Sequence, residues 1–329
     1  MTSASQAAPR RHVSAPRRPA GWTIVAAKEF ADHLLSVRFY VLILILGAAA
    51  LIPLYFAGER IRAVAPAASE VPGIFLFLFR LSPPDFGLLR VDLWVSVAAP
   101  LLGVAFAFDA VNGERHEGTL PRLLSQPIHR DDVINGKFVA GLAIITVVLL
   151  AVVLVITGFG MLRLGIVPTE GEVLRVVLWF LVTLLYVALW LAVGVLVSVL
   201  VRGAATSALI GLGLWLFVAM PFIGPALFSF VGGAMTGGDP AAQQFIERLL
   251  PSTIYYELSS VLLNPEVATT SNSLSISQQI QSLSRFPNAA LSVDQSLLLI
   301  WPHIVTLFAL TIGCFALAYT RFMRQEVRA

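Results

Sequence analysis

The sequence has little charge and only one cysteine. Charged side chains make up 12% of its 329 residues and apolar side chains 57%, a balance outside that of soluble globular domains. Because Cys314 is the single cysteine, the sequence cannot form an internal disulfide. We expect Cys314 to act as a small apolar packing residue within the last apolar run. The composition therefore predicts an integral membrane protein. The net charge of +3 gives no reason to expect a nucleic-acid partner.

Motifs for nucleotide binding and for catalysis are also missing. A phosphate-binding loop needs Gly-x-x-x-x-Gly-Lys-Ser/Thr, and here the pair Gly136-Lys137 lacks both the earlier glycine and the hydroxyl residue. The spans contain no Gly-x-Ser-x-Gly or His-Glu-x-x-His motif, and the histidines are scattered without a Cys pair or Met cluster. We predict no catalytic, cofactor-binding or metal site in this chain, so that ATP and Mg²⁺, if used, bind to another subunit.

Long uncharged runs predict helices that cross a membrane. A helix needs about 20 apolar residues to cross a hydrocarbon core of ~30 Å, and membrane strands would instead alternate apolar and polar positions. We therefore predict an all-α protein with six spans. Asp92 and Asp109 bound the second span, and we expect both at membrane interfaces. The predicted spans are approximately 38–57, 92–110, 137–161, 175–200, 204–222 and 296–320.

Breaks and short segments refine this prediction. Pro221, Gly224 and Pro225 predict that the fifth span ends near Met220 and that a broken, re-entrant segment follows. The apolar run Ile74 to Phe79 is too short to cross, and we expect it to rest at the interface. The apolar first half of the region after the fifth span can pack on the bilayer or on the bundle.

The distribution of Lys and Arg predicts the orientation. More of these residues fall on the side that carries both termini and the loop 111–136, which places that side in the cytoplasm of a cell-membrane protein. Residues 231–295 then form an extracellular region. Residues 1–20 lack the apolar core of a signal peptide and predict a disordered basic arm, either near anionic lipid or solvated without a role. Residues 21–329 are expected to form one transmembrane domain.

The segment before the first span is amphipathic. Apolar residues from Trp22 to Val37 recur at helical spacing with Lys28, Glu29 and Asp32 between them. This pattern predicts a helix lying on the cytoplasmic membrane surface. A charged extension of the first span is the alternative.

The loop between the second and third spans carries the most informative motif. Leu120, Leu123 and Leu124 share one side of a short helix by their i, i+3 and i+4 spacing. Thr119 is expected to cap this helix and Pro127 to stop it after about two turns. The pattern Glu-Arg-x-x-Gly-Thr-Leu-x-x-Leu-Leu-Ser-x-Pro-Ile-x-Arg, followed by Gly-Lys, begins at Glu114. It resembles the cytoplasmic loop of ABC-2 type transporter permeases, and more closely the branch of permeases for multicopper enzyme maturation.

This resemblance implies a fold and an assembly. It implies a six-helix ABC-2 fold of the type V exporter kind with an N-terminal interface helix, working as a dimer with a second copy or a paralogue. A separate ATP-binding subunit would dock on the loop and drive alternating access. The docking positions that it implies are Glu114, Arg115, Glu117, Gly118, Thr119, Leu120, Leu123, Leu124, Pro127 and Arg130. The leucines would form a buried anchor, with Glu114, Arg115, Glu117 and Arg130 as rim pairs.

Three other readings stay open. The loop helix could instead lie on lipid headgroups and bury the same leucines there. The chain could be a secondary transporter, although midplane charges and a repeat between its halves are lacking. It could also be a membrane adaptor that transmits ATPase-driven motion to an extracellular partner, and the long region 231–295 keeps that reading open.

Overall fold

The computed structural model describes residues 20–64, 73–81, 90–119, 128–220, 223–237, 239, 246, 248–264 and 291–325, and within them it contains helices and no strand. A 3₁₀ turn spans Ile74–Leu76, and a π-helical turn spans Trp215–Ala219. The helices are α1 (Gly21–Leu34), α2 (Val37–Val64), α3 (Phe77–Arg80), α4 (Val91–Ala107), α5 (Asn112–His116), α6 (Arg130–Leu164), α7 (Glu170–Leu200), α8 (Ala204–Leu214), α9 (Gly224–Thr236), α10 (Pro251–Leu263) and α11 (Val293–Arg324).

Five helical segments of the described residues are long and apolar enough to cross a membrane. They overlap the first four predicted spans and the sixth, so the all-α membrane character of the chain is confirmed. The second of them runs through α4 and α5. Their bounds are Val37–Ala63, Val91–His116, Arg130–Leu164, Glu170–Leu200 and Val293–Arg324.

The fifth predicted span is shorter in the structure than in the prediction. Its α-helical part, α8, has 11 residues and its π turn has 5, fewer than the roughly 20 that cross a bilayer unaided. Met220 is extended, and α9 begins only at Gly224. The helix therefore breaks where the glycine and prolines predict a break.

Small residues allow α4, α7 and α8 to approach closely at the centre of the bundle. A Cβ atom added to Gly103 of α4 would lie 2.8 Å from the backbone nitrogen of Leu191, and one added to Gly194 of α7 would lie 2.7 Å from the Cβ of Ala107. Backbones at this separation gain dispersion contacts that larger side chains would prevent. The two glycines therefore determine where α4 and α7 can come into close contact.

Helix α10 packs into the bundle beside α7, which is one of the two positions left open by its sequence. Trp179 of α7 donates a hydrogen bond to Ser259 at 2.8 Å, and the hydroxyls of Thr183 and Tyr255 are 2.8 Å apart. The rings of Tyr186 and Tyr255 stack with centroids 4.4 Å apart. These polar contacts between buried residues give α10 a defined register against α7.

Two segments expected at a membrane interface are buried against other parts of the bundle, and their depth in the membrane stays a prediction. The run from Ile74 to Phe79 is buried inside the bundle, because its aromatic rings fill the space against Trp179 and the carboxylate of Glu172 accepts the Phe75 amide at 3.0 Å. Asp92 is also buried, since the guanidinium of Arg90 pairs with its carboxylate. A paired carboxylate at a helix start does not need direct contact with water.

The bundle has two distinct ends. Asp109, just after α4, pairs with Arg38 at the start of α2 (2.5 Å), whereas Arg62 near the end of α2 donates to the Arg163 carbonyl near the end of α6 (2.8 Å). We call the end at which α2 and α6 begin the loop end, because α5 and Arg130, which flank residues 120–127, also lie there. Helices α7 and α11 terminate at the loop end.

Candidate coupling site at the loop end

The described part of the loop begins with α5 and a sharp stop. Gly118 has a left-handed backbone (φ 69°), a conformation that favours glycine. The amide of Thr119 donates to the Glu114 carbonyl at 2.9 Å and the amide of Gly118 to the Arg115 carbonyl at 3.3 Å. These two bonds form a Schellman motif, which ends α5. The Thr119 hydroxyl donates to the Glu114 carbonyl at 3.3 Å. The helix that Thr119 is expected to cap lies outside the described residues, so that role stays a prediction.

A buried lysine connects this loop to two helices. The Lys137 ammonium, whose side chain is 5% exposed, lies 2.8 Å from the Glu114 carboxylate and 3.0 Å from that of Glu29 on α1. Two carboxylates around one ammonium leave the cluster with a net negative charge, which the exposed Lys28 offsets by pairing with Glu29 at 3.1 Å. The cluster joins α1, α5 and α6 through one side chain.

The charge state of Glu29 follows from these neighbours. Burial on its own would raise the pKa of Glu29, but the ammonium groups of Lys137 and Lys28 outweigh it and hold that pKa below its ordinary value. Glu29 is therefore ionised at neutral pH. The attachment of α1 to α6 then depends on an ion pair sheltered from solvent.

The first turn of α1 also rests directly on α6. The Trp22 amide, which has no partner within its own helix, donates to the Asp132 carboxylate at 3.0 Å, and the His129 amide donates to the same carboxylate at 3.1 Å. A Cβ atom at Gly136 would lie 2.7 Å from the Cβ of Val25. Glycine at this position is what allows the two helices to touch.

Both flanks of the loop meet at the end of α11. Arg115 Nη2 donates to the Gln325 side-chain oxygen at 2.5 Å, and Arg130 Nη2 donates to the Gln325 carbonyl at 2.9 Å. The Arg130 guanidinium also lies over the Phe322 ring, 5.7 Å from its centroid. The loop is thus joined to α11 on both sides of residues 120–127.

A third connection reaches α7. The Ser198 hydroxyl accepts hydrogen bonds from the backbone amides of Val111 and Asn112 at 3.0 and 3.2 Å, and all three residues are buried. These amides belong to the first turn at α5, where backbone donors have no helical partner. The start of α5 is therefore fixed to the last turns of α7.

The predicted docking residues divide into three groups. Glu114, Arg115 and Arg130 contact other parts of this chain, and their role as rim residues stays a prediction. Glu117, Gly118 and Thr119 are exposed at the tip of the described segment. Three leucines and a proline lie outside the described residues, and their docking role stays a prediction: Leu120, Leu123, Leu124 and Pro127.

Sequence reasoning missed Lys137, Asp132 and Gln325 as members of this site. Lys137 was considered as part of an incomplete phosphate loop and as the end of the motif that begins at Glu114, without a partner being assigned to it. Its position immediately before a long apolar window was the available signal, since a lysine there must find a partner or reach solvent. Gln325 gave no signal, because an isolated glutamine after a basic helix end is usually solvated.

Five helices long and apolar enough to cross a membrane make this chain a multi-pass membrane protein, and several of their ends meet at one charged loop. Its family is shown by comparison with known proteins. The family model described as ABC-2 family transporter protein matches residues 23–327. The chain belongs to the ABC-2 transporter family.

Two curated relatives carry the same name, probable ABC transporter permease protein NosY. The protein from Stutzerimonas stutzeri is 32% identical over 130 residues, which cover 37% of this chain and 45% of that protein. The protein from Pseudomonas aeruginosa is 28% identical over 210 residues, which cover 62% of this chain and 68% of that protein. The match thus spans less than half the length of the first relative. The names of these two relatives agree with the family assignment, and the function that the names state is that of the relatives.

Proposed function

We propose that this chain is the six-span permease subunit of an ABC transporter in the cytoplasmic membrane, with both termini in the cytoplasm. An ATP-binding subunit, which carries the ATP and Mg²⁺, docks on residues 114–130. Two permease subunits, identical or paralogous, form the membrane part and move a substrate by alternating access. The fifth of the six spans is the segment from α8 to Met220, completed by its neighbours in the bilayer, and α1 lies at the cytoplasmic interface. Family membership and the names of both relatives support this proposal.

The observation that carries the proposal is the attachment of one loop to four helices. Lys137 connects it to α1 and α6, Ser198 connects it to α7, and Gln325 connects it to α11. A loop that only covered the bundle would not need buried ion pairs to its neighbours, because such pairs are costly to desolvate. A loop that is displaced by a docked subunit, and that displaces the membrane helices in turn, needs direct contacts with those helices.

The test replaces Leu123 and Leu124 together with Asp. If the two side chains are anchors in the partner, the change removes roughly 1.5 to 3 kcal/mol per residue of apolar burial and puts charge in a dry contact. We expect normal insertion of the permease, weaker copurification of its ATP-binding subunit and loss of transport. Copurification and ATP hydrolysis by the complex in lipid nanodiscs are the measurements.

Arg122→Ala is the matched control, since Arg122 is expected on the other side of the same short helix. It should leave the association intact. Full association of the double Asp variant would show that the docking role is wrong. In that case, weaker binding of the isolated variant to anionic vesicles would support the lipid-surface reading of the loop.

A further inference from the structure

Gln325, the residue that follows α11, contacts three parts of the chain at once. Its side-chain oxygen accepts from Arg115 at 2.5 Å, and its side-chain nitrogen donates to the Val199 carbonyl at 2.8 Å. Its own backbone carbonyl accepts from Arg130 at 2.9 Å. The amide group therefore uses both its acceptor and its donor, and each goes to a different element.

The two arginines stand on opposite sides of residues 120–127. Arg115 lies in α5, before that segment, and Arg130 is the first residue of α6, after it. Both guanidinium groups therefore bind the same residue from the two flanks of that segment. Because charge-assisted hydrogen bonds are stronger than neutral ones, these two contacts resist separation.

The other side of Gln325 is fixed to two long helices. The Val199 carbonyl is one of the last four of α7, which have no partner within the helix, and the Gln325 amide supplies one. Gln325 itself continues directly from the last turn of α11. The negative ends of both helix dipoles thus face this junction, where the cationic arginines are favourable.

We infer that Gln325 is a positioning residue that carries the displacement of the docked loop to α7 and α11 together. If residue 325 lacks the side-chain amide, Arg115 loses its hydrogen-bond acceptor at the end of α11. The Val199 carbonyl at the end of α7 then also loses its link to residue 325. This inference rests on the proposed docking of an ATP-binding subunit. Beyond that docking, the inference identifies the residue that couples the loop to α7 and α11.

The experiment measures whether the far end of the bundle follows the nucleotide state. Spin labels are placed at Val173→Cys near the start of α7 and at Leu298→Cys near the start of α11, in a Cys314→Ser background. Both positions are exposed, at 46% and 72%. Pulsed electron paramagnetic resonance gives the distance between labels in the complete complex in nanodiscs, without nucleotide and with ATP and vanadate.

We expect the wild-type complex to shift its distance distribution with ATP and vanadate. In the Gln325→Ala complex, the ratio of shifted to unshifted molecules should fall about tenfold, which corresponds to about 1.4 kcal/mol and is close to the loss of one charge-assisted hydrogen bond. Subunit association is measured alongside, so that the ratio is compared among assembled complexes only. A merely structural role would lower the amount of assembled complex without changing this ratio.

Gln325→Glu is the second variant, in case the alanine chain does not assemble. A carboxylate still accepts from Arg115 but cannot donate to the Val199 carbonyl, so the ratio should fall here too. Arg324→Ala, at the exposed neighbouring position, is the control and should shift as the wild type does. A wild-type shift in either assembled Gln325 variant would overturn the inference. Failure of the unmodified chain to bind an ATP-binding subunit would instead contradict the proposed function.

Discussion

Lys137 illustrates how one residue can matter more for specificity than for net stability. Its side chain is 5% exposed and has two carboxylate partners. The Coulomb attraction in such a cluster is largely offset by the cost of removing three charges from water. Losing the lysine alone, however, takes the shared cation from the sheltered carboxylates of Glu29 and Glu114 and leaves Glu29 with the exposed Lys28.

Replacing Lys137 with Met should therefore be strongly destabilising. Methionine has similar length and no charge, so Glu29 and Glu114 would lose their common partner, at a cost of about 3 to 5 kcal/mol. The midpoint of thermal unfolding in detergent measures the effect. Lys28→Met is the control, because Lys28 also pairs with Glu29 but its side chain is 58% exposed, and it should cost no more than about 1 kcal/mol. Equal losses for the two variants would contradict the role given to the buried cluster.

At the scale of elements, the docking of α1 on α6 depends on a missing side chain. Gly136→Leu should displace α1, since a Cβ atom there would lie 2.7 Å from Val25 and 2.9 Å from the Trp22 carbonyl, and overpacking of this kind costs about 1 to 3 kcal/mol. A spin label at Ile24→Cys, in a Cys314→Ser background, should become more mobile.

Gly158→Ala in the same helix is the control for that change. No atom lies within 4 Å of the Cβ it would add, so it should leave the label immobile and stabilise α6 by roughly 0.5 to 1 kcal/mol through helix propensity. An immobile label in Gly136→Leu would show that α1 tolerates the side chain and does not need close contact.

The same label should report a pH dependence of α1. The folded-state pKa of Glu29 lies below its ordinary value of 4.5, so the unfolded or undocked chain binds more protons. The stabilising effect is complete above the ordinary pKa and is lost as the pH falls through the lowered one. The label should be immobile at neutral pH and mobile in acid well below pH 4.5. Glu29→Gln should be mobile throughout, and an acid transition that persists in this variant would assign the effect to another group.

The elements differ in how far their sequence predicts them. Long apolar runs identified five spans and the break near Met220, because hydrophobicity and proline act over a few neighbouring residues. The burial of Phe79 and the insertion of α10 were not predictable, since they depend on contacts such as that between Thr183 and Tyr255, 72 residues apart. The Arg115 to Gln325 bond spans 210 residues. The sequence therefore locates the loop between two spans, whereas the contacts of the loop with α6, α7 and α11 become visible only in the folded structure.

At the scale of the whole molecule, orientation is the first quantity to measure. The excess of Lys and Arg at the loop end predicts that this end is cytoplasmic. In a Cys314→Ser background, Ser125→Cys should be protected from an impermeant thiol reagent in intact cells, and Ser273→Cys should react. Both cysteines should react after the membrane is opened with detergent. Labelling of Ser125→Cys from outside would reverse the proposed topology.

The division of labour between subunits gives the final prediction. The chain lacks a phosphate-binding loop, and the ammonium of Lys137, in its only Gly-Lys pair, is already held by Glu29 and Glu114. A lysine bound by two carboxylates is not available to a phosphate group. The purified permease should therefore show no saturable binding of a fluorescent ATP analogue, whereas the complex with its ATP-binding subunit should bind and hydrolyse ATP. Saturable binding by the permease alone would place a nucleotide site in this chain and contradict that division.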